Sequence, residues 1–282
     1  MKKRLRNKSS SLTSYPWFLE YFGIRLIDRL FEIWPCPIPT KHKLKQGKIV
    51  PHRGIYDNQR VLENTLKAFE GVKRLGLWGV EFDLRWTKDL VPLAFHDKTL
   101  HRLFGLPVDV SQQTFSEIRS RFPIIPTLKE VVNRFGKDLH LMVEIKKENY
   151  SDVIYQNKVL KDIFKKLHPR KDFHLLSLNP DMFELISFVS KNACLPIATK
   201  NVGAYSHLAL RRGYGGVNGH YLLVNNSTIV KHHKRNQKVG TGFVESANCL
   251  FRELNRGVDW VFTKDAVKLQ SQIAKIMDRY QH

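Results

Sequence analysis

The sequence predicts an α/β fold, a TIM-type (β/α)8 barrel, on three observations. Apolar strand-like runs alternate with helix-like stretches along most of the chain. The runs number eight once a hairpin is set aside, and 282 residues accommodate a barrel of roughly 250 residues plus an extra segment.

The eight runs centre on His52, Glu81, Glu144, Leu176, Ile197, Val217, Val239 and Val261. The later ones extend from Phe173 to Leu178, Leu195 to Thr199, Gly216 to Val224, Lys238 to Val244 and Trp260 to Thr263. Helices are expected from Leu66 to Leu75, capped by Asn64 or Thr65, from Phe115 to Arg121, and from Leu128 to Phe135, capped by Thr127. Further helices run from Ser151 to Leu167, Asp181 to Val189, Tyr205 to Arg211, Ser227 to Asn236, Ser246 to Leu254 and onward from Ala266.

The hairpin lies between Val80 and Asp97. Strand side chains alternate faces, so Glu81 and Asp83 project to one side and Phe82 and Leu84 to the other. A reversal near Lys88 and Asp89 pairs Glu81 with His96, which brings an imidazole to the two acids. The His96 strand is then an excursion after strand 2, not a ninth barrel strand.

Residues 1–47 read as a basic leader, an amphipathic helix and a Pro-rich linker, ahead of a barrel domain over residues 48–282. From Tyr15 to Trp34 the apolar residues Leu19, Phe22, Leu26, Ile27, Leu30 and Ile33 recur at helical spacing, and Pro35, Pro37 and Pro39 end the helix. With Trp17, Tyr21 and the basic leader, residues 15–34 suit peripheral contact with an anionic membrane. A helix closing the bottom of the barrel fits the same pattern. Charges within the stretch exclude a signal h-region or a membrane span, so a cytoplasmic chain, soluble or peripheral on the inner face of the membrane, is expected.

A formal charge of +21 implies an anionic partner, be it nucleic acid, lipid surface or a phosphate-bearing substrate. The chain lacks the signatures of sequence-specific nucleic-acid modules. Its three cysteines have no CxxC spacing, which argues against a zinc site or a disulfide framework. The cluster from Lys231 to Arg235 reads as a solvated helix face.

In such a barrel the C-terminal strand ends form the functional face. His52, Arg53, Glu81, Asp83, Glu144 and Lys146 all stand there, and the hairpin returns His96 to them. Oxygen ligands favour Mg2+ or Ca2+ over Zn2+. Arg53 and Lys146 suit phosphate oxygens, and two histidines about one phosphorus suit acid and base.

The segments His52-Arg53-Gly54, Glu63-Asn64-Thr65, Glu81-x-Asp83, Thr87-Lys88-Asp89, His96-Asp97 and Glu144-x-Lys146 resemble the glycerophosphodiester phosphodiesterase family in order and spacing. Weaker similarity extends to Ser177-Leu178-Asn179-Pro180 and Gly257-Val258-Asp259. The resemblance implies metal-dependent hydrolysis of glycerophosphodiesters to glycerol 3-phosphate and an alcohol, within lipid and glycerol metabolism. It implies one divalent cation on Glu81, Asp83 and Glu144, catalysis by His52 and His96, phosphate contacts from Arg53 and Lys146, and a supporting role for Glu63. A lysophospholipase D-type activity is the neighbouring expectation. A non-catalytic anion- or nucleic-acid-binding barrel is the alternative from charge alone. The Gly242-Phe243-Val244-Glu245 and Thr263-Lys264-Asp265-Ala266 segments depart from the family pattern, and loss of an aromatic pocket wall is expected there.

Overall fold

The computed structural model describes residues 30–280. Eight parallel strands form the barrel: β1 (Ile49–Pro51), β2 (Gly79–Trp86), β4 (His140–Ile145), β5 (Phe173–Ser177), β6 (Cys194–Ala198), β7 (Gly216–His220), β8 (Lys238–Gly242) and β9 (Trp260–Thr263). The remaining strand, β3 (Pro92–Ala94), runs antiparallel to β2 outside the ring. β1 joins β9 by parallel pairing, and a parallel bridge between His52 and Glu81 brings it back to β2. The expected TIM barrel is therefore present, with its hairpin insertion after strand 2.

Alternation decides what each strand buries. Val80, Phe82 and Leu84 of β2, and Leu141, Val143 and Ile145 of β4, pack outward into the core shared with the helices. The opposite faces point into the barrel, where Val50, Met142, Leu176, Leu195 and Trp260 pack against one another. Gly240 makes room in that interior: a Cβ there would lie 2.3 Å from Asn218 Oδ1, which accepts from the Trp260 indole N–H at 2.9 Å.

Below this layer His140 and His174 are buried as a hydrogen-bonded pair, Nε2 to Nδ1 at 2.8 Å, with Trp78 stacked on His140 at 4.2 Å. Burial lowers the His140 pKa to about 4, and burial followed by the neighbouring imidazole lowers that of His174 to about 2. Both pKa values lie below that of an unfolded histidine, about 6.5. Their stabilising neutral state is therefore complete above that pH and is eroded as pH falls toward 4. For His140 alone the loss is on the order of 3 kcal/mol. The urea midpoint is expected to fall between pH 7 and pH 5, with only a part of that fall absent in His140→Gln, because His174 titrates in the same sense. An identical fall in the variant would contradict this assignment.

Three local expectations are corrected. The hairpin register is offset by one, with Leu84 opposite Ala94 and Trp86 opposite Pro92. The loop from Thr87 to Val91 is odd in length, with Leu90 left-handed at φ 58° and the Thr87 hydroxyl donating to Asp89. His96 therefore does not pair with Glu81; it lies beyond the end of β3. The expected helix from Asp181 to Val189 is a short 3-10 turn, Pro180–Leu185, after which the Asn157 side chain caps the Ser187 and Phe188 amides. β7 ends at His220, where the chain turns as Leu223 and Val224 donate to the His220 carbonyl.

The excursion after β3 carries its own small core of Leu93, Phe95, Leu100, Val110, Ile118 and Ile125. Thr65 caps Leu66–Arg74, and Thr127 forms a capping box with Glu130 at the start of Leu128–Phe135. In the basic cluster, His232 is fully buried against Ser206, so the solvated-face reading holds only for its neighbours. The amphipathic helix expected over residues 15–34 lies outside the described residues up to position 29; residues 30–33 are helical.

Candidate active site

Glu81 and Asp83 leave the inner face of β2 beside Glu144 of β4, because the parallel register sets Asp83 opposite Glu144. One oxygen from each lies within 4.8 Å of the others, and all three residues are buried. Burial first, then the Asp83 and Glu144 charges, push the Glu81 carboxyl well above the usual range. Burial and then Asp83 also raise Glu144. Burial pushes Asp83 up as well, but Lys146 and Arg53 more than offset it and hold Asp83 below the usual range. Lys146 Nζ lies 2.6 Å from Asp83 Oδ1 and 2.8 Å from Glu144 Oε1. Glu81 Oε1 is buried without a hydrogen-bond donor among the described residues. Three clustered carboxylates with an oxygen still to be satisfied are a fitting donor set for a hard divalent cation.

His52 and Arg53 follow β1 at the barrel mouth. Arg53 sits at φ 62° and Gly54 at φ 87°, and a Cβ on Gly54 would meet the Ala68 methyl at 2.9 Å. This left-handed pair turns the chain so that the Arg53 amide donates to the Glu81 carbonyl (2.8 Å) and to its Oε2 (3.0 Å). The Arg53 guanidinium reaches Glu63 at 2.8 Å and Asp83 at 3.3 Å. Asn64 fixes Asp83 from both sides: its Nδ2 donates to Oδ2 at 2.8 Å, and the Asp83 amide donates to its Oδ1 at 3.3 Å. His52 Nε2 lies 3.8 Å from Glu81 Oε2. Burial, then the Arg53 charge, lower the His52 pKa to about 3.

His96 is held by two contacts that its position in sequence does not announce. Its Nδ1 is 2.6 Å from Asp97 Oδ1, and its carbonyl accepts from Arg85 Nε at 2.9 Å. Asp97 Oδ2 in turn accepts from Arg102 Nε at 2.6 Å, and the other arm of Arg102 grips Glu63. Glu63 thus ties the His96 support to Arg53, with burial opposed by Arg102, Asn58 and Arg53 so that its pKa falls to about 2.

These groups line a cavity of about 380 Å³ at the C-terminal ends of the strands. One side is formed by His52, Arg53, Glu81, His96, Glu144 and Lys146. The other side includes Leu176, Ile197, Phe243 and Phe262, with His220, Glu245 and Lys264 between them. Phe243 stacks on His220 at 4.9 Å.

The sequence profile of the glycerophosphoryl diester phosphodiesterase family matches residues 52–267. The chain belongs to this family. Among curated relatives, a glycerophosphodiester phosphodiesterase of Caldanaerobacter subterraneus subsp. tengcongensis is 36% identical over 110 residues, 35% of this chain and 44% of that protein. Glycerophosphodiester phosphodiesterase 1 of Bos taurus is 29% identical over 164 residues, 52% of this chain and 49% of that protein. The aligned part thus spans about half the length of these relatives or less. Among solved structures, the enzyme of Thermotoga maritima superposes with a TM-score of 0.65 at 24% identity, over 79% of this chain and 98% of that one. An Oleispira antarctica phosphodiesterase in complex with the product sn-glycerol-3-phosphate gives a TM-score of 0.63 at 19% identity, over 80% and 96% of the two chains.

In this family member the structure gathers all seven sequence-derived site residues at one cavity mouth: six line it, and Asp83 is completely buried beneath them. Arg85 does not pair with Glu81 or Asp83; it bonds Glu148 at 3.2 Å. The expected loss of an aromatic wall is corrected, because Phe243 supplies one. Beyond these seven, Asn64, Asp97 and Arg102 are working parts whose contacts sequence position alone does not single out. The one legible signal was the His96-Asp97 dipeptide.

Asp97→Asn tests the support. Burial holds the His96 pKa below its ordinary value, opposed by the Asp83 charge and by the Asp97 hydrogen bond, which raise it. Loss of that hydrogen bond therefore lowers the pKa, and a step needing protonated His96 fails at lower pH. Turnover is expected to fall about 10- to 100-fold, with the alkaline limb of the kcat profile moved to lower pH. An unmoved limb would contradict the role of Asp97.

Proposed function

We propose that this chain hydrolyses glycerophosphodiesters to glycerol 3-phosphate and an alcohol, and lysophospholipids to the acylated glycerol 3-phosphate and an alcohol. The observation that carries the proposal is the convergence of Glu81, Asp83 and Glu144 with His52 and His96 on one cavity. Family membership supports the reaction class, as does the glycerol 3-phosphate held by the Oleispira antarctica relative. One divalent cation, Mg2+ or Ca2+, would be held by Glu81, Asp83 and Glu144, where it supplies Lewis-acid polarisation of a phosphoryl oxygen.

The chain's own groups do the rest. Arg53 and Lys146 neutralise charge on the phosphate oxygens as it develops. His52, neutral in its buried setting, takes the proton of the attacking hydroxyl, either water or the substrate's own glycerol hydroxyl; the second forms a cyclic phosphate that water then opens. His96, whose imidazolium the Asp97 carboxylate stabilises at 2.6 Å, donates a proton to the leaving alkoxide. The wall of Leu176, Ile197, Phe243 and Phe262 suits an acyl chain carried on the glycerol moiety, which favours a lysophospholipase D-type substrate within the class.

We assign this chemistry to residues 48–282, with residues 1–47 as leader, amphipathic helix and linker. Residues 15–34 would hold the protein peripherally on an anionic membrane, at the cytoplasmic face. Among the described residues no helix is long and apolar enough to cross a bilayer. A non-catalytic anion or nucleic-acid binder has only the +21 charge in its favour. The deciding experiment is a chelator titration on the purified chain with glycerophosphocholine and lysophosphatidylcholine. Activity is expected to vanish with chelator and return with Mg2+ or Ca2+; hydrolysis indifferent to chelator would overturn the carboxylate assignment.

A further inference from the structure

We propose that the barrel mouth is itself a lipid-docking face, seated on an anionic bilayer by Leu178, Leu223 and Phe243 together with Leu30, Ile33 and Trp34. Leu178, Leu223 and Phe243 stand just beyond the C-terminal ends of β5, β7 and β8, and they are 44%, 44% and 58% exposed. Single exposed apolar residues are ordinary on protein surfaces, whereas Leu178 and Phe243 on the cavity lining, with Leu223 beyond the end of a neighbouring strand, form a face. Phe243 also occupies left-handed backbone at φ 66°, a conformation that disfavours a bulky side chain. A strained backbone that presents an aromatic ring at the mouth is the mark of a functional position.

The second half of the face comes from the N-terminal segment. Phe31 meets Tyr221 edge-on at 5.5 Å, Tyr221 stacks on His220 at 4.8 Å, and His220 stacks on Phe243. Glu32 accepts from Asn248 and pairs with Lys268 at 3.0 Å, both in the first turns of helices that leave the mouth, Ala247–Arg256 and Ala266–Arg279. The segment is thereby fixed at the level of the mouth. Phe31 faces the barrel, while Leu30, Ile33 and Trp34 are 56%, 77% and 75% exposed.

Charge selects the occupant. Lys2, Lys3, Arg4, Arg6 and Lys8 precede this segment in sequence, with Tyr15, Trp17 and Tyr21 after them, and Lys264 borders the cavity. Aromatic and aliphatic side chains beside lysine and arginine match the boundary between anionic headgroups and acyl chains. So seated, the cavity would open toward the lipid and receive a lysophospholipid headgroup first. That consequence rests on the proposed activity; the docking does not.

The test is co-sedimentation of the full chain with vesicles of phosphatidylcholine alone or mixed with phosphatidylserine. Wild type is expected to partition onto the mixed vesicles, less so as salt is raised. Leu223→Ser, which lies outside the cavity lining, is expected to weaken partition about tenfold, and Ile33→Ser with Trp34→Ser by more. Thermal melts and hydrolysis of soluble glycerophosphocholine should match wild type. Wild type that stays off the mixed vesicles, or variants that partition like wild type, would overturn the docking face. Loss in these variants of a salt-sensitive DNA shift, with vesicle binding intact, would reassign it to nucleic acid. Vesicle binding with no hydrolysis would leave the docking face standing and remove the proposed activity.

Discussion

His96→Ala and His52→Ala are each expected to lower turnover of glycerophosphocholine by about 10²- to 10⁴-fold, the range a positioned acid or base contributes. The two losses should differ in kind. His96 is carried on the Asp97–Arg102–Glu63 chain of hydrogen bonds, so its removal leaves a carboxylate–arginine chain that still closes on itself. His52 has no such carrier, and its Nδ1 is buried without a hydrogen-bond partner among the described residues. Neither change removes a core side chain, so circular dichroism and thermal midpoint should stay near wild type. Steady-state kinetics on the folded variants checks this, and full activity in either would remove that histidine from the mechanism.

Glu81→Gln is expected to abolish the response to divalent cation. Lewis-acid stabilisation of the transferring phosphoryl group is worth several kcal/mol, so turnover should fall by about 10³-fold or more. Isothermal titration with Mg2+ and Ca2+ gives a readout separate from activity, and the heat of binding should disappear. Stability should move the other way. The Glu81 carboxyl is held well above its ordinary range by burial and by the Asp83 and Glu144 charges, so a neutral amide relieves repulsion. Without added metal the variant should unfold at the same temperature as wild type or higher. A variant that loses activity and also melts early would point to a misfolded mouth, and one that still binds metal at wild-type affinity would exclude Glu81 as a ligand.

Much of this site was legible because barrel strands write it in a simple code. In β4, Leu141, Val143 and Ile145 face the helices while Met142 and Glu144 face inward, so an apolar run that ends in a charged pair marks the mouth. The same code places Glu81 beside Asp83. What stayed hidden depends on long-range contacts or on loop length. The hairpin register turned on one residue of loop, with Leu90 in a conformation that nothing in its side chain demands. Arg102 reaches Glu63 across 39 positions of sequence, from a short helix, His101–Phe104, that has no periodic signal. Asn64 sits at φ 56° and holds Asp83, a contact that neither its cap position nor its place in the Glu63-Asn64-Thr65 segment spells out. The 3-10 turn after β5 stops early because Asn157 of a neighbouring helix satisfies the next two amides.

The most direct measurement of the central claim is 31P NMR of glycerophosphocholine incubated with the purified chain and Mg2+ or Ca2+. The diester resonance should be replaced by that of glycerol 3-phosphate as choline is released, and His96→Ala should leave the diester unchanged over the same interval. Release of phosphocholine, or a diester that persists with wild type at every metal tried across a panel of glycerophosphodiesters, would contradict the account.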